Sequence, residues 1–325
     1  MLLDATMAAT AGIGRRAYRV AGLLALGMLI AMALRSNCLP AKSTLTVNSF
    51  PFNSKQAELE TAFADDGTFV FCSSNKGTAL ASGDVMDMYW SKYDPVDKSF
   101  TTPVNMGPML NSVPNAIAKS TGRDIEPWIS PDGQRLYFHS DRPEPGQKTN
   151  DNIFLSVKGT DGEWSVPKAL PEEINSGHGE HCAMELRDGK TFCFSSMRPG
   201  GYGMGDIWCA PILGTGLFGK AYNLGPGVNT EKHEYHFAQH PTEGHAILSR
   251  NREMWVTKPD GSSSEWLPAT LLPLLNEVGQ KNLCPSWTPD GKTILWFSDR
   301  PDMLTPGSDP GLGSTDIVFA DYKVL

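Results

Sequence analysis

The sequence predicts an all-β protein, a single β-propeller of five four-stranded blades, closed by an N-terminal strand that completes the last blade. Three observations lead there. Two distant stretches, "EPWISPDGQRLYFHSDRPEPG" at 126–146 and "CPSWTPDGKTILWFSDRPD" at 284–302, repeat nearly one phrase. A glycine turn marks each of five copies: "DDG" at 65–67, "PDG" at 131–133, "RDG" at 187–189, "TEG" at 242–244 and "PDG" at 289–291, spaced by 47–66 residues. Asp–Gly between apolar runs signals a hairpin, because Gly takes positive φ at little steric cost. Finally, 32 Gly and 24 Pro in 325 residues suit many short elements and few long helices.

Each repeat supplies its strands in order. An inner strand leads into the turn, and an alternating second strand follows it: "TFVFCSS", "QRLYFHSD", "KTFCFSSM" and "KTILWFSD". After a polar loop comes a third: "DMYWS" from Asp87, "NIFLS" from Asn152, "DIWCA" from Asp206, "EMWVT" from Glu253 and "DIVFA" from Asp316. In the fourth repeat, "LSRNREMW" drops that loop. A fourth segment, such as "WSVPKAL", ends in an Asn element at Asn111, Asn175, Asn229 and Asn276. The last repeat lacks a fourth segment, and "KSTLTVNSFPFNS" (Lys42–Ser54) matches "WSVPKALPEEINS" (Trp164–Ser176), with Asn53 on Asn175. Residues 42–47 are therefore expected beside the strand at 316–322, removing the open edges of the ring. Ser140, Ser196 and Ser298 recur seven positions after the turn Gly, and Lys76, Arg142, Arg198 and Arg300 nine after it. A charge repeated in several blades reads as scaffold that ties the following loop to its own blade.

"SPDG", then "FxSxRP", then "DI" plus an aromatic resembles the PD40, or TolB-type, WD40-like propeller repeat across residues 42–325. The resemblance implies a module that binds partners. It also supplies the alternative of six blades, common in that family, although no sixth glycine turn is present. TolB carries a separate α/β domain and some relatives a peptidoglycan-binding domain. Neither is read here, so their envelope roles are not carried over.

Residues 1–41 read as a signal peptide or N-terminal membrane anchor preceding a propeller at 42–325. Arg15, Arg16 and Arg19 precede an uncharged run, Val20–Leu34, short of the ~20 residues of a membrane span. "AMA" ending at Ala33, or "LPA" ending at Ala41, supplies a cleavage site. The expectation is export to the periplasm or outside the cell, with membrane contact only through residues 20–34 if they are retained. A formal charge of −8 argues against a nucleic-acid partner. Five of the six cysteines fall after residue 41. They read as buried small hydrophobes rather than a disulfide framework, and no C-x-x-C pair suggests structural zinc.

Chemistry is sought where the blades differ. Aligned on the turn Gly, blades three and four carry "HGEH" (His178, Glu180, His181) and "HEYH" (His233, Glu234, Tyr235, His236) at the start of the inner strand, and six of seven histidines lie between 178 and 245. Inner strands encircle the channel, so these groups are expected at its mouth. His178, His181, His233 and His236 are candidate ligands for a divalent metal, the one cofactor the sequence suggests. His181, His236, Glu180, Glu234 and Tyr235 are candidate acid–base residues. Glu58, Glu60, Asp124 and Glu126 read as solvated rim carboxylates, and Trp128, Tyr235 and Trp287 as core aromatics rather than a sugar platform. Two functions are carried: an exported binding module for a glycan, peptide or envelope protein, and a lyase or hydrolase acting on a saccharide or small polar substrate.

Overall fold

The computed structural model describes residues 45–54, 57–74, 86–112, 120–148, 151–263, 265–276, 281–299 and 315–322. The leader at 1–41, Lys76 and Arg300 lie outside the described residues.

The alternating runs pair as antiparallel hairpins, and among the described residues they form five sheets. β1 (Val47–Ser49) comes first and belongs to the last sheet. Blade one comprises β2 (Glu58–Phe63), β3 (Thr68–Ser73) and β4 (Asp87–Asp94), edged by β5 (Ser99–Phe100) and β6 (Val104–Asn105). Blade two comprises β7 (Asp124–Ile129), β8 (Arg135–Ser140), β9 (Asn152–Val157) and β10 (Lys168–Ala169). Blade three comprises β11 (Glu180–Glu185), β12 (Thr191–Ser196), β13 (Asp206–Gly214), β14 (Leu217–Phe218) and β15 (Tyr222–Asn223). Blade four comprises β16 (Glu234–Gln239), β17 (Ala246–Arg250), β18 (Glu253–Thr257) and β19 (Thr270–Leu271), followed by the single turn α1 (Pro273–Asn276). Blade five comprises β20 (Asn282–Trp287), β21 (Thr293–Ser298) and β22 (Asp316–Asp321).

Closure falls where the Asn53–Asn175 match places it. β1 pairs with β22 through Val47↔Ala320, Asn48↔Phe319 and Ser49↔Val318, slightly downstream of the expected 42–47. Asn53 then clamps Ile317, donating to its carbonyl at 2.8 Å and accepting from its amide at 3.1 Å. The same clamp joins Asn111 to Met88, Asn175 to Ile153, Asn229 to Ile207 and Asn276 to Met254. The recurring Asn is thus a side-chain surrogate for a fourth strand, satisfying third-strand backbone groups that the short outer strands leave open.

A second repeated device staples neighbouring blades. Arg142 donates to Asp124 and to the Leu110 carbonyl of the preceding blade, and Arg198 to Ser196 and the Ile174 carbonyl. In blade four the missing loop becomes a two-residue turn at Asn251 and Arg252, both at positive φ, and Arg250 takes over, donating to Glu234 and the Val228 carbonyl. The staple therefore reaches beyond its own blade, further than the repeat pattern suggests. Aromatic and aliphatic side chains fill the wedges between blades, as where Tyr137, Ile153 and Leu155 meet Phe192, Phe194 and Trp208.

One expectation is corrected. Cys193 and Cys209 face each other across β12 and β13 and are joined in a disulfide. Alternation placed both in apolar runs, but cross-strand register, invisible in one sequence, set them opposite. Cys72, Cys182 and Cys284 are free and buried, as read.

Candidate functional site

Every inner strand carries a bulge after its first one or two pairs, for example between His181 and Met184 in β11. Four of the bulged residues, Glu60, Glu126, Cys182 and Cys284, have φ between 39° and 56°. Such backbone is costly for non-glycine residues and concentrates where a side chain must be re-aimed. His236 holds the equivalent place in blade four, two residues after the acid that opens β16. The five positions form a girdle of two carboxylates, two thiols and an imidazole.

Its members are tied blade to blade. The Glu126 amide donates to Glu60 at 3.0 Å, and the Cys182 amide to Glu126 at 2.8 Å. Cys182 Sγ lies 3.2 Å from His236 Nδ1, and Cys72 Sγ 3.0 Å from Glu60 Oε2. Two cavities share Glu60, Glu126 and His236 in their linings, one toward Phe63, Gln239 and Trp287, the other toward Leu59, Tyr235 and Leu283. These side chains therefore form the constriction of the channel. The second cavity, about 360 Å³, is a funnel on the face where the inner strands begin, walled by Tyr235, Arg252, Lys281 and Phe297.

Charge is unevenly placed. Burial disfavours ionisation of Glu126, but the His181 imidazole at 3.2 Å outweighs it and holds the carboxyl far below the usual range. Burial likewise opposes the charge on His181, yet Glu126 lifts it to about 9. Burial, reinforced by the Glu126 charge, raises Glu60 to about 7. Burial also depresses His236 to about 4 and pushes the Cys182 and Cys284 thiols up. At neutral pH the constriction is one ion pair among neutral groups, with Glu60 poised to give or take a proton.

Beside Glu126, blades two and three add a second layer. The His139 and His181 rings stack at 4.4 Å with 25° between planes. Asp151 Oδ1 lies 2.5 Å from His139 Nε2, and its Oδ2 lies 3.8 Å from His181 Nε2. Arg123 reaches Asp151 at 3.4 Å.

The candidates read from sequence separate accordingly. His181 and His236 enter the axial cluster through Glu126 and Cys182, and Tyr235 lines the funnel. His233 stacks on Tyr235 at 3.6 Å. His178 is exposed on the loop before β11. The two His-x-x-His stretches are not in register. Glu180 pairs with Ser196 and Glu234 with Arg250 as the first pairs of their strands, so Tyr235 matches His181, and His236 matches Cys182. The cause is the alignment marker: Gly244 sits one place later in its turn than Gly189. Glu180 and Glu234 are fully buried, held by Ser176, Ser196 and Arg198, and by Thr230 and Arg250. Glu58, Glu60, Asp124 and Glu126, expected to be solvated, are all buried. Glu58 and Asp124 anchor serines in the same way as Glu180. His139 and Asp151 were not anticipated; the signal available was that His139 alone of the histidines lies outside 178–245.

No protein-family model matches the chain, and no curated protein matches it. Solved structures do. An α-L-arabinofuranosidase from Lactobacillus brevis superposes with a TM-score of 0.53 at 11% identity, covering 84% of this chain and 92% of that one. TolB from Acinetobacter baumannii matches with a TM-score of 0.47 at 14% identity; 83% of this chain is covered, and it spans 56% of the length of that protein. A luciferin-regenerating enzyme matches with a TM-score of 0.44 at 12% identity, over 85% and 95% of the two chains. At such identities the likeness is one of fold: this chain is a β-propeller.

Proposed function

We propose that the protein is an exported propeller that binds a small polar ligand, a glycan or peptide segment, in the funnel at the channel mouth. The observation that carries this reading is the composition of the funnel. Arg252 and Lys281 offer cationic donors, Tyr235, Leu283 and Phe297 offer apolar and aromatic surface, and Glu60, Glu126 and His236 supply a polar floor. Concave apolar surface with a few convergent polar groups is the usual form of a ligand site. Export is supported by the Arg-led apolar run at 15–34 and by the Cys193–Cys209 disulfide, a bond that persists in oxidising compartments. Among the described residues no helix is long and apolar enough to cross a membrane. The test is titration of the protein with acidic and neutral oligosaccharides and with short peptides. At least one class is expected to bind, and Arg252→Ala and Lys281→Ala to weaken it about tenfold, the loss of one charge-assisted hydrogen bond. Equal affinity in both variants removes the funnel as the site.

A second reading, a lyase or hydrolase acting on the same ligand, is favoured by one observation. Glu60, held near neutrality at the funnel floor, suits proton transfer at physiological pH. Product formation from a bound oligosaccharide, abolished by Glu60→Gln with binding retained, separates the enzyme from the pure binding module.

A further inference from the structure

We infer that Glu126, His139 and His181 form a divalent-cation site between blades two and three, with Asp151 orienting the two imidazoles. One ligand atom from each of the three residues falls within 4.8 Å of the others. A common ion at about 2.0–2.1 Å from each donor would draw the three atoms inward, to separations of about 3–4 Å. Asp151 supplies the independent sign. It takes the Nε2 side of His139 at 2.5 Å and faces Nε2 of His181 at 3.8 Å. With Asp151 on the Nε2 side of both rings, Nδ1 of each is left facing away from it. His181 Nδ1 there meets the Glu126 carboxylate at 3.2 Å. His139 Nδ1 is buried with no hydrogen-bond partner, on a side chain that is 0% exposed. A carboxylate that fixes the outer ring nitrogen of a histidine, leaving the inner one free, is the usual second layer of a metal centre.

Two imidazoles and a carboxylate suit zinc, cobalt, nickel or manganese, and three protein ligands leave a coordination position open. Asp151 and His181 are partly exposed, so an ion has a path to the site from solvent. Arg123 balances the charge of Asp151. A similar group elsewhere, His240, Glu243 and His245, fails the same test. His240 Nδ1 already accepts from the Glu243 amide, and its Nε2 is engaged by the Gly291 carbonyl. The inference goes beyond the proposed function, since of its four residues only Glu126 lines the funnel. It stands whether or not an organic ligand binds there.

The experiment is calorimetric titration of the untagged, chelator-treated full chain with Zn²⁺, Ni²⁺ and Mn²⁺ salts, without any organic ligand, followed by the absorption spectrum of the Co²⁺ form. One equivalent of zinc is expected to bind. His181→Gln is expected to lower the affinity at least 100-fold, and Asp151→Asn 10–100-fold as a second-layer change. Asp151 is exposed enough that its variant keeps the fold even should His139→Ala lose it. The cobalt spectrum is expected to show ligand-field bands without sulfur-to-cobalt charge transfer. Absence of binding by every metal, binding unmoved by both His181→Gln and Asp151→Asn, or a thiolate charge-transfer band would each overturn the assignment, the last by moving the ion to Cys182 and Cys284. Failure of oligosaccharide or peptide binding with zinc binding intact would instead count only against the funnel.

Discussion

Glu60 shows how one buried carboxyl makes the channel sensitive to pH. In the unfolded chain it titrates near 4.5; in the fold, burial and the Glu126 charge raise it to about 7. A carboxyl raised in this way leaves stability untouched below about pH 4.5. It withdraws stability as pH climbs to 7 and reaches a plateau above, a cost on the order of 3 kcal/mol at about 1.4 kcal/mol per unit. Gln keeps an oxygen for the Glu126 amide and cannot ionise. Glu60→Gln, compared with the parent in chelator by urea denaturation, is expected to match it at pH 4.5 and exceed it by about 3 kcal/mol at pH 8. A difference independent of pH would show that the fold leaves the titration of Glu60 unchanged. At this scale the sequence was legible in identity and opaque in aim. Glu60 and Glu126 stood out as acids near the start of inner strands, but nothing in the order of residues told that the bulge turns them onto the axis. His139 sits inside the apolar run "LYFHS" and Asp151 in a loop 12 residues later; only packing of blade two against blade three brings them to His181.

Each outer strand is too short to hold its neighbour, which is why the asparagine clamp recurs. Asn175 accepts from the Ile153 amide at 2.9 Å and donates to the Ile153 and Leu170 carbonyls, and it is 2% exposed. Removing it strands a buried amide and two carbonyls. Asn175→Ala is expected to cost about 2–3 kcal/mol. Asn53→Ala, at the less buried copy, is expected to cost about 1 kcal/mol, because water can replace the lost partner. Chemical denaturation of both variants checks the order; a costlier Asn53 variant would mean that closure strain, not desolvation, sets the penalty. The elements themselves were readable because hairpin turns, alternation and the closing Asn are all local signals. Cross-strand register was not, and hence the Cys193–Cys209 bond went unread. The off-by-one comparison of the histidine pairs has the same origin: a turn glycine moved by one place, and only strand pairing reveals it.

For the ring as a whole, stability is concentrated at the seam. Phe50, 2% exposed and just past β1, packs against Phe52, Phe69, Phe71 and Phe100, joining blade five to blade one. Phe50→Ala is expected to cost about 3–5 kcal/mol. Deleting residues 45–54 should cost more, since the partner edge of β22 is opened as well. A truncated chain that melts with the parent would refute the closure as a stabilising device. The five-blade count was legible from the repeats alone, and the seam from one asparagine in the right place. Order of synthesis gives that seam a further meaning. β1 is made before every other described strand, and β22, its only partner, after them. Blades one to four can assemble while the chain grows, but the pairing of Val47 with Ala320 waits for the end, with all the other described strands lying between the partners. A chain halted before Ile317 keeps two raw edges, open to proteases and to other strands. The seam thus acts as a certificate of completion, separating finished copies from fragments by the edges they leave bare.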